Sequence, residues 1–355
     1  MIEALIERIA GTHDPRATNV THPYVGLVLA VLWATACGFS GPEAIAEFAR
    51  ARHARIARWT QTAARSPGPR TFKRLLERLD PAVPALLLDA AAVDWDLIAL
   101  DGKTIRGAQT SGDDAHVVEA YSLRRRVCLG LVDAGSRGGE KAAFEALIRK
   151  HGGDAITFTI DANGASRQIA KAVVDTGSDY VIGLKENAPR TLAEVTDSFG
   201  RLDPGEPFVE VSKGHGRLEI RRAWVLPVEA LFEFEPWPGL MAAGMVERTR
   251  EIKGKRSVER AYHLLSRPLS PEAYAAAARG HWDIENGVHN VVDRSMGEDL
   301  CQVEGPAARA LAALRRSALS RLRRIPGFRS VAAAMRHLAL DPESFSLLLG
   351  ETPAA

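Results

Sequence analysis

Cysteine is scarce in this chain: Cys37, Cys128 and Cys301 are its three, far apart, and no Cys-x-x-Cys pair occurs. That excludes a disulfide framework and a cysteine-based structural zinc site, and it fits a reduced, cytoplasmic setting. A net charge excess is lacking too. With 46 Lys and Arg against 44 Asp and Glu, the formal charge is only +2, so no argument from overall polycation character holds. A convincing membrane segment is also missing. Tyr24 to Gly41 is apolar and uncharged, but Gly26, Thr35, Gly38 and Ser40 interrupt it, and a polar, Pro-containing segment precedes it instead of a basic one. A buried core helix is the expectation there, with no membrane partner. Internal repeats and low-complexity tracts are absent as well.

What the chain has is length and an uneven distribution of charge. Its 355 residues allow two or three structural units, and 46% hydrophobic with 25% charged residues is an ordinary globular composition. Residues 50–78 carry Arg50, Arg52, Arg55, Arg58, Arg65, Arg70, Lys73, Arg74 and Arg78 against Glu77 alone. Residues 301–340 carry Arg309, Arg315, Arg316, Arg321, Arg323, Arg324, Arg329 and Arg336 against Glu304. Basic blocks at both ends of a near-neutral middle predict a polyanion contacted from both sides; solvated helix faces are the plainer alternative.

Periodicity divides the chain. Residues 1–92 read as helices: Ile2 to Ile9, an apolar helix over 24–37, a basic one from Glu43 to Trp59, and Phe72 to Leu79. They form either a helix-turn-helix-like DNA reader or a cap on the next unit. Strands follow at Leu97–Asp101, His116–Ser122, Val127–Asp133, 155–161 and Tyr180–Leu184, with helices at 139–151 and 165–176. This order predicts an α/β fold with a ribonuclease-H-like mixed five-stranded sheet over 93–187 and 271–300. Residues 188–270 read as an inserted β subdomain with two basic loops, and 301–355 as basic C-terminal helices. Pro271 opens a helix through Ala278, and a longer helix begins near His281.

The stretch Leu97-Ile98-Ala99-Leu100-Asp101-Gly102-Lys103-Thr104-Ile105-Arg106-Gly107 places a carboxylate at a strand's end, where a rigid element fixes its direction. A type I turn starting at Asp101 is the bland alternative. A second strand ends on Asp161, and such a sheet would make the two carboxylates neighbours. A helix beside them would add Glu285, with His281 and His289 on the same face at i−4 and i+4. Three carboxylates suit Mg²⁺ or Mn²⁺, two ions per site, while zinc on His281, Glu285 and His289 is the weaker alternative, since the spacing is not His-Glu-x-x-His. Lys103 and Arg106 could neutralise phosphate or balance the acids. Lys185 and Asn187 follow a strand at the same edge and suit phosphate. His215 and Arg217 lie in a basic hairpin that could clamp DNA, Trp282 could stack on an unpaired base or sit in the core, and Arg315 and Arg316 could line a backbone-binding helix.

Five ordered motifs make the chain resemble bacterial insertion-sequence transposases of the DDE type, the H-repeat-associated group. They are Asp101-Gly102-Lys103-Thr104-Ile105-Arg106-Gly107; Ile160-Asp161-Ala162; Tyr180-Val181-Ile182-Gly183-Leu184-Lys185-Glu186-Asn187; Gly214-His215-Gly216-Arg217-Leu218-Glu219; and Arg279-Gly280-His281-Trp282-Asp283-Ile284-Glu285-Asn286. The resemblance spans about residues 22–325. It implies a ribonuclease-H-like core with Asp101, Asp161 and Glu285 as a metal-binding triad. It also implies an enzyme that cuts and joins double-stranded DNA at the ends of its own element, as a synaptic homodimer near the bacterial nucleoid. DNA-facing roles for His281, Asn286 and His289 are expected with it. Asn290 stands where such transposases usually carry an aromatic after the motif's His, and Val292 where the wider group often has Lys. Gly297-Glu298-Asp299 follows the family pattern, its acids either supporting the site or lying in a solvated loop.

Overall fold

The computed structural model describes residues 2–16, 20–60, 65–88, 96–108, 115–135, 137–214, 217–231 and 237–349. Six helices come first: α1 (Ile2–Ala10), α2 (Tyr24–Ala36), α3 (Pro42–Ala51), α4 (His53–Thr60), α5 (Pro69–Glu77) and α6 (Ala82–Leu88). Helix α2 is apolar on every face, and apart from the half-buried Val25 all of it is buried. Among the described residues no helix is long and apolar enough to cross a membrane. The single basic helix expected from Glu43 to Trp59 is two, broken at Arg52, whose guanidinium donates to the Ala339 carbonyl at 2.6 Å.

The middle of the chain supplies β1 (Asp96–Thr104), β2 (His116–Ser122), β3 (Val127–Asp133), α7 (Glu140–His151), β4 (Ile156–Ile160), α8 (Arg167–Asp175), β5 (Asp179–Leu184) and α9 (Pro189–Arg201). Four long strands follow: β6 (Phe208–Gly214), β7 (Arg217–Pro227), β8 (Ala242–Ile252) and β9 (Lys255–Leu265). All nine form one mixed sheet in the order β3-β2-β1-β4-β5-β9-β8-β7-β6. The expected five-stranded sheet is therefore corrected to nine strands. The cause is the free edge of β5, which pairs antiparallel with β9 from Val181↔Leu265 to Leu184↔Tyr262 and so draws the β6–β9 meander into the same sheet.

The chain closes with α10 (Pro271–Ile284), a π-helical turn (Glu285–His289), α11 (Asn290–Arg294), α12 (Gly305–Leu322), α13 (Val331–Leu340) and α14 (Phe345–Leu348). The break expected between Ala278 and His281 does not occur. Helix α10 runs through Gly280, whose missing side chain lets the helix lie on Leu123; a Cβ there would stand 3.1 Å from that leucine. One apolar core lies between the sheet and α7, α8 and α9. Another joins α2, α3 and α5 to α12, α13 and α14, so both chain ends pack around one centre. Burying whole apolar helix faces at about 25 cal/mol per Å² is the main force holding these layers together.

Candidate active site

Strands β1 and β4 run parallel, in register from Asp96↔Ile156 to Leu100↔Ile160. The next residue on each is an aspartate, so Asp101 and Asp161 stand side by side where β4 ends. Asp101 is not at a strand's end, as expected, nor in a turn: β1 continues through Gly102 and Lys103 to Thr104, paired with β2 at Asp101↔Glu119 and Gly102↔Val118. Gly102 serves packing instead of turning, because a Cβ there would lie 2.6 Å from Glu140 Oε1 and 2.9 Å from His116 Nε2. Asp161 caps the 3-10 turn Ala162–Gly164, its Oδ1 accepting from the Asn163 and Gly164 N–H groups at 2.9 and 3.3 Å.

The π-turn lies over these strands. The Asn290 N–H donates to the Glu285 carbonyl, and a π-turn of this kind inserts an extra residue in the helix, often at functional sites. Before it, His281 Nδ1 meets Thr159 Oγ1 of β4 at 3.1 Å. At its end, His289 is buried between two carboxylates, Nδ1 3.6 Å from Asp101 Oδ2 and Nε2 3.6 Å from Glu119 Oε2. The turn is pinned by Arg323, which donates to the Gly287 carbonyl and to the Tyr121 hydroxyl. Glu285 itself is exposed.

Electrostatics set the Asp101–Asp161 pair apart. Burial is the main cause that pushes the Asp101 carboxyl up to about 6; His289 opposes the shift, and the Asp161 and Glu119 carboxylates add to it. Burial also lowers the His281 pKa, with Asp161 pulling the other way. Behind Asp101, burial would raise Glu119, but Arg316 at 3.1 Å and His289 outweigh it and hold that carboxyl at about 2. Arg316 also donates to Glu298, and although burial disfavours its charge, Glu298 and Glu119 raise its pKa.

Several expected DNA contacts are corrected by burial. Arg315 and Arg316 are 1% and 0% exposed and bind Glu298 and Glu119, so they line no backbone-binding face. His289 lies beneath the π-turn against Asp101. Lys103 is buried with Nζ 2.8 Å from Asp293 and 3.5 Å from Asp299, which makes it a partner of acids, not of phosphate. Glu298 and Asp299 thus belong to internal ion pairs and not to a solvated loop. Asn187, by contrast, is exposed and donates to the Ala162 carbonyl, steadying the turn that Asp161 caps.

Other residues stay open to solvent. Lys185 is exposed at the end of β5, and Arg106 is exposed with Asp299 3.9 Å away. Arg217 is half exposed beside Glu219 at 3.7 Å. Trp282 is 52% exposed, with the Arg248 guanidinium 5.6 Å from its ring centre, and Asn286 donates to the Trp282 carbonyl at 3.1 Å. His215 lies outside the described residues. Glu119 and the π-turn are not found from sequence, although Glu119 stands out as the lone acid of the strand His116–Ser122.

Two family models match the chain: one described as Transposase DDE domain covers residues 94–322, and one described as DDE_Tnp_1-associated covers residues 6–95. The chain belongs to the transposase DDE domain family. An uncharacterized protein of the dhlA 3′ region in Xanthobacter autotrophicus is 29% identical over 73% of this chain and 92% of its own length. The H repeat-associated putative transposase YhhI of Escherichia coli K12 is 27% identical over 96% of both chains. The putative transposase YncI of E. coli O157:H7 is 27% identical over 91% of this chain and 88% of its own. Within this transposase DDE domain the family match begins at the foot of β1 and ends with α12, and so contains both aspartates and the π-turn. The family acts on nucleic acid and typically uses a divalent metal. Among the described residues no group of three or more His, Cys, Asp or Glu side chains is close enough to hold a metal ion. The donors nonetheless suit a hard cation in kind: two adjacent carboxylates, one pushed up by burial and by the other's charge, are what a cation relieves.

Proposed function

We propose that this chain is a DNA transposase that cleaves the ends of its mobile element and transfers the 3′-hydroxyl ends to target DNA. The observation that carries this reading is the side-by-side placement of Asp101 and Asp161 on adjacent parallel strands, beneath the π-turn that begins with Glu285. The strand order β3-β2-β1-β4-β5 supports a ribonuclease-H-like core at the centre of the larger sheet. We assign this core to residues 93–187 and 271–300, with 1–92 and 301–355 as helical flanks and 188–270 as the insertion.

Asp101 and Asp161 would hold Mg²⁺ or Mn²⁺, and Glu285, exposed on the π-turn, would complete the set by turning towards them. The ions would lower the pKa of an attacking oxygen and neutralise charge on the leaving one, as two-metal phosphoryl transfer requires. The chain's own residues position the substrate. Lys185 and Arg106 offer exposed cations just past the ends of β5 and β1, and Arg217 offers another at the start of β7. The exposed face of α5, with Arg70, Lys73, Arg74 and Arg78 opposite the buried Phe72, Leu75 and Leu76, provides a second backbone contact. In the first step water attacks the phosphodiester, giving a free 3′-hydroxyl and a 5′-phosphate. In the second that hydroxyl attacks a target phosphodiester in line, joining one strand and releasing a target 3′-hydroxyl. His289 and Glu119 support Asp101 from below throughout.

The test is cleavage and joining on labelled duplex carrying the native element ends, in Mg²⁺, Mn²⁺ or EDTA, with Asp101→Ala beside the natural protein. Metal-dependent 3′ nicks and joined product, both lost in the variant, are expected. Cleavage without joining would mark a nuclease. Binding without cleavage in either metal would mark a DNA-binding relic and overturn the reading.

A further inference from the structure

The nine-stranded sheet has two edges, and among the described residues only that of β3 is covered. Strand β3 is packed by α6 and α12. Strand β6, at the other end, pairs with β7 on one side and presents a free edge on the other. It is seven residues long, Phe208-Val209-Glu210-Val211-Ser212-Lys213-Gly214, with no proline and no register shift against β7. Such an edge is a template for another strand unless it is blunted, and Lys213 is its one lysine.

Its side chains describe what would fit. Val211 is 61% exposed and pairs with Ile220, which pairs with Thr249, which pairs with Val258, itself 50% exposed. This row, apolar but for Thr249, crosses all four strands and stops at the edge. On the same face lie the flanking rows Val209-Arg222-Glu247-Arg260 and Lys213-Leu218-Glu251-Arg256. On the opposite face, towards α10, Glu210 is held by Arg221 and Arg279.

We infer that β6 is a homodimer interface, pairing antiparallel with β6 of a second copy about a two-fold axis at Val211. That register uses all seven residues. It sets Val211 against Val211, Val209 against Lys213, Glu210 against Ser212 and Phe208 against Gly214. No like charges meet, and the Val211 row continues into its symmetry mate as one stripe, apolar but for Thr249, across eight strands. A register centred on Glu210 would oppose two carboxylates, and one centred on Ser212 would leave Phe208 and Val209 unpaired; both fit less well. The self-complementarity of one strand is what an isologous contact requires. This inference concerns assembly and stands whether or not the chain cuts DNA.

The test uses the full chain in analytical ultracentrifugation from about 1 to 100 µM, a range over which mass action reveals a weak dimer. Dimer is expected for the natural protein. Val211→Lys, at an exposed position, should leave circular dichroism unchanged and weaken dimerisation by about tenfold or more, since it sets two cations face to face. Val211→Cys should form an intermolecular disulfide under mild oxidation, Val209→Cys alone should not, and Val209→Cys with Lys213→Cys should. The natural protein, with Cys37, Cys128 and Cys301, is the control. A monomer throughout the range, or a dimer unaffected by Val211→Lys and without the Val211→Cys cross-link, would overturn the proposal. A monomer in which Val211→Lys changes DNA affinity would overturn it in favour of a DNA contact.

Discussion

Replacing Arg316 by Met should be among the most damaging single changes available in this protein. The guanidinium is fully buried between Glu119 and Glu298, both 0% exposed. Methionine fills similar volume but leaves two carboxylates in a low-dielectric interior with their main counter-ion gone. Removing one partner of a buried ion pair typically costs about 3–5 kcal/mol. The Glu119 carboxyl points the same way: it is held at about 2 against an ordinary 4.5, with Arg316 the largest cause that lowers it. The sign follows from the depression: this stabilisation is present above pH 4.5 and is lost as pH falls from there towards 2. Urea denaturation at pH 7 should therefore show a lower midpoint with an unchanged slope. The loss would be a large share of the roughly 5–15 kcal/mol typical of a whole protein. Arg316→Lys keeps the charge but not the planar fork that reaches both acids, so it should fall between. Adding Glu119→Gln and Glu298→Gln to Arg316→Met should recover much of the loss, since neutral amides carry no unpaired charge. A loss below about 1 kcal/mol in Arg316→Met would refute the reasoning, because that is the range of an exposed pair.

Three further outcomes follow from the same geometry. Asp101→Asn should abolish DNA cleavage yet stabilise the fold at pH 7 by up to about 3 kcal/mol. The Asp101 carboxyl is raised from 3.8 to about 6, so its stabilisation is full below pH 3.8 and is lost as pH rises through 6; the variant's advantage should vanish in acid denaturation series below pH 4. Gly102→Ala should cost about 1–3 kcal/mol in thermal or urea unfolding, because its Cβ would meet Glu140 Oε1 at 2.6 Å and His116 Nε2 at 2.9 Å. Trp282→Ala should leave stability within about 0.5 kcal/mol, as surface changes do, while weakening single-stranded DNA binding by fluorescence anisotropy if the ring stacks on a base.

Where side-chain pattern and pairing coincide, the sequence was readable. His116–Ser122 and Val127–Asp133 are strands at the expected bounds, because β-branched runs between turn residues leave few alternatives. Gly102 reads as a turn residue that ends the strand at Asp101 until its neighbours Glu140 and His116, distant in sequence, show why no side chain fits. The size of the sheet was hidden for a similar reason. Pairing of β5 with β9 is a long-range event, and no local pattern says whether an insertion folds apart or joins the sheet. Arg315 and Arg316 look like a solvated basic face, and only the acids brought from β2 and from the turn at Gly297 make their burial tolerable. That turn needs the left-handed backbone which Gly297 adopts at φ 64°. The candidate site is legible as a list of acids, but the π-turn is not. It arises from how α10 meets the sheet and Arg323, not from residue preference.

The central claim is that Asp101 and Asp161 form one site with Glu285 above it. Single-turnover cleavage of an element-end duplex by the natural protein, Asp101→Asn, Asp161→Asn and Glu285→Gln tests it most directly, with folding of each variant checked by urea denaturation. Each substitution should slow cleavage by about a thousandfold or more, since each removes a group acting on the reacting phosphate. An Asp101→Asn or Asp161→Asn protein that stays folded and cleaves within tenfold of the natural rate would contradict the account.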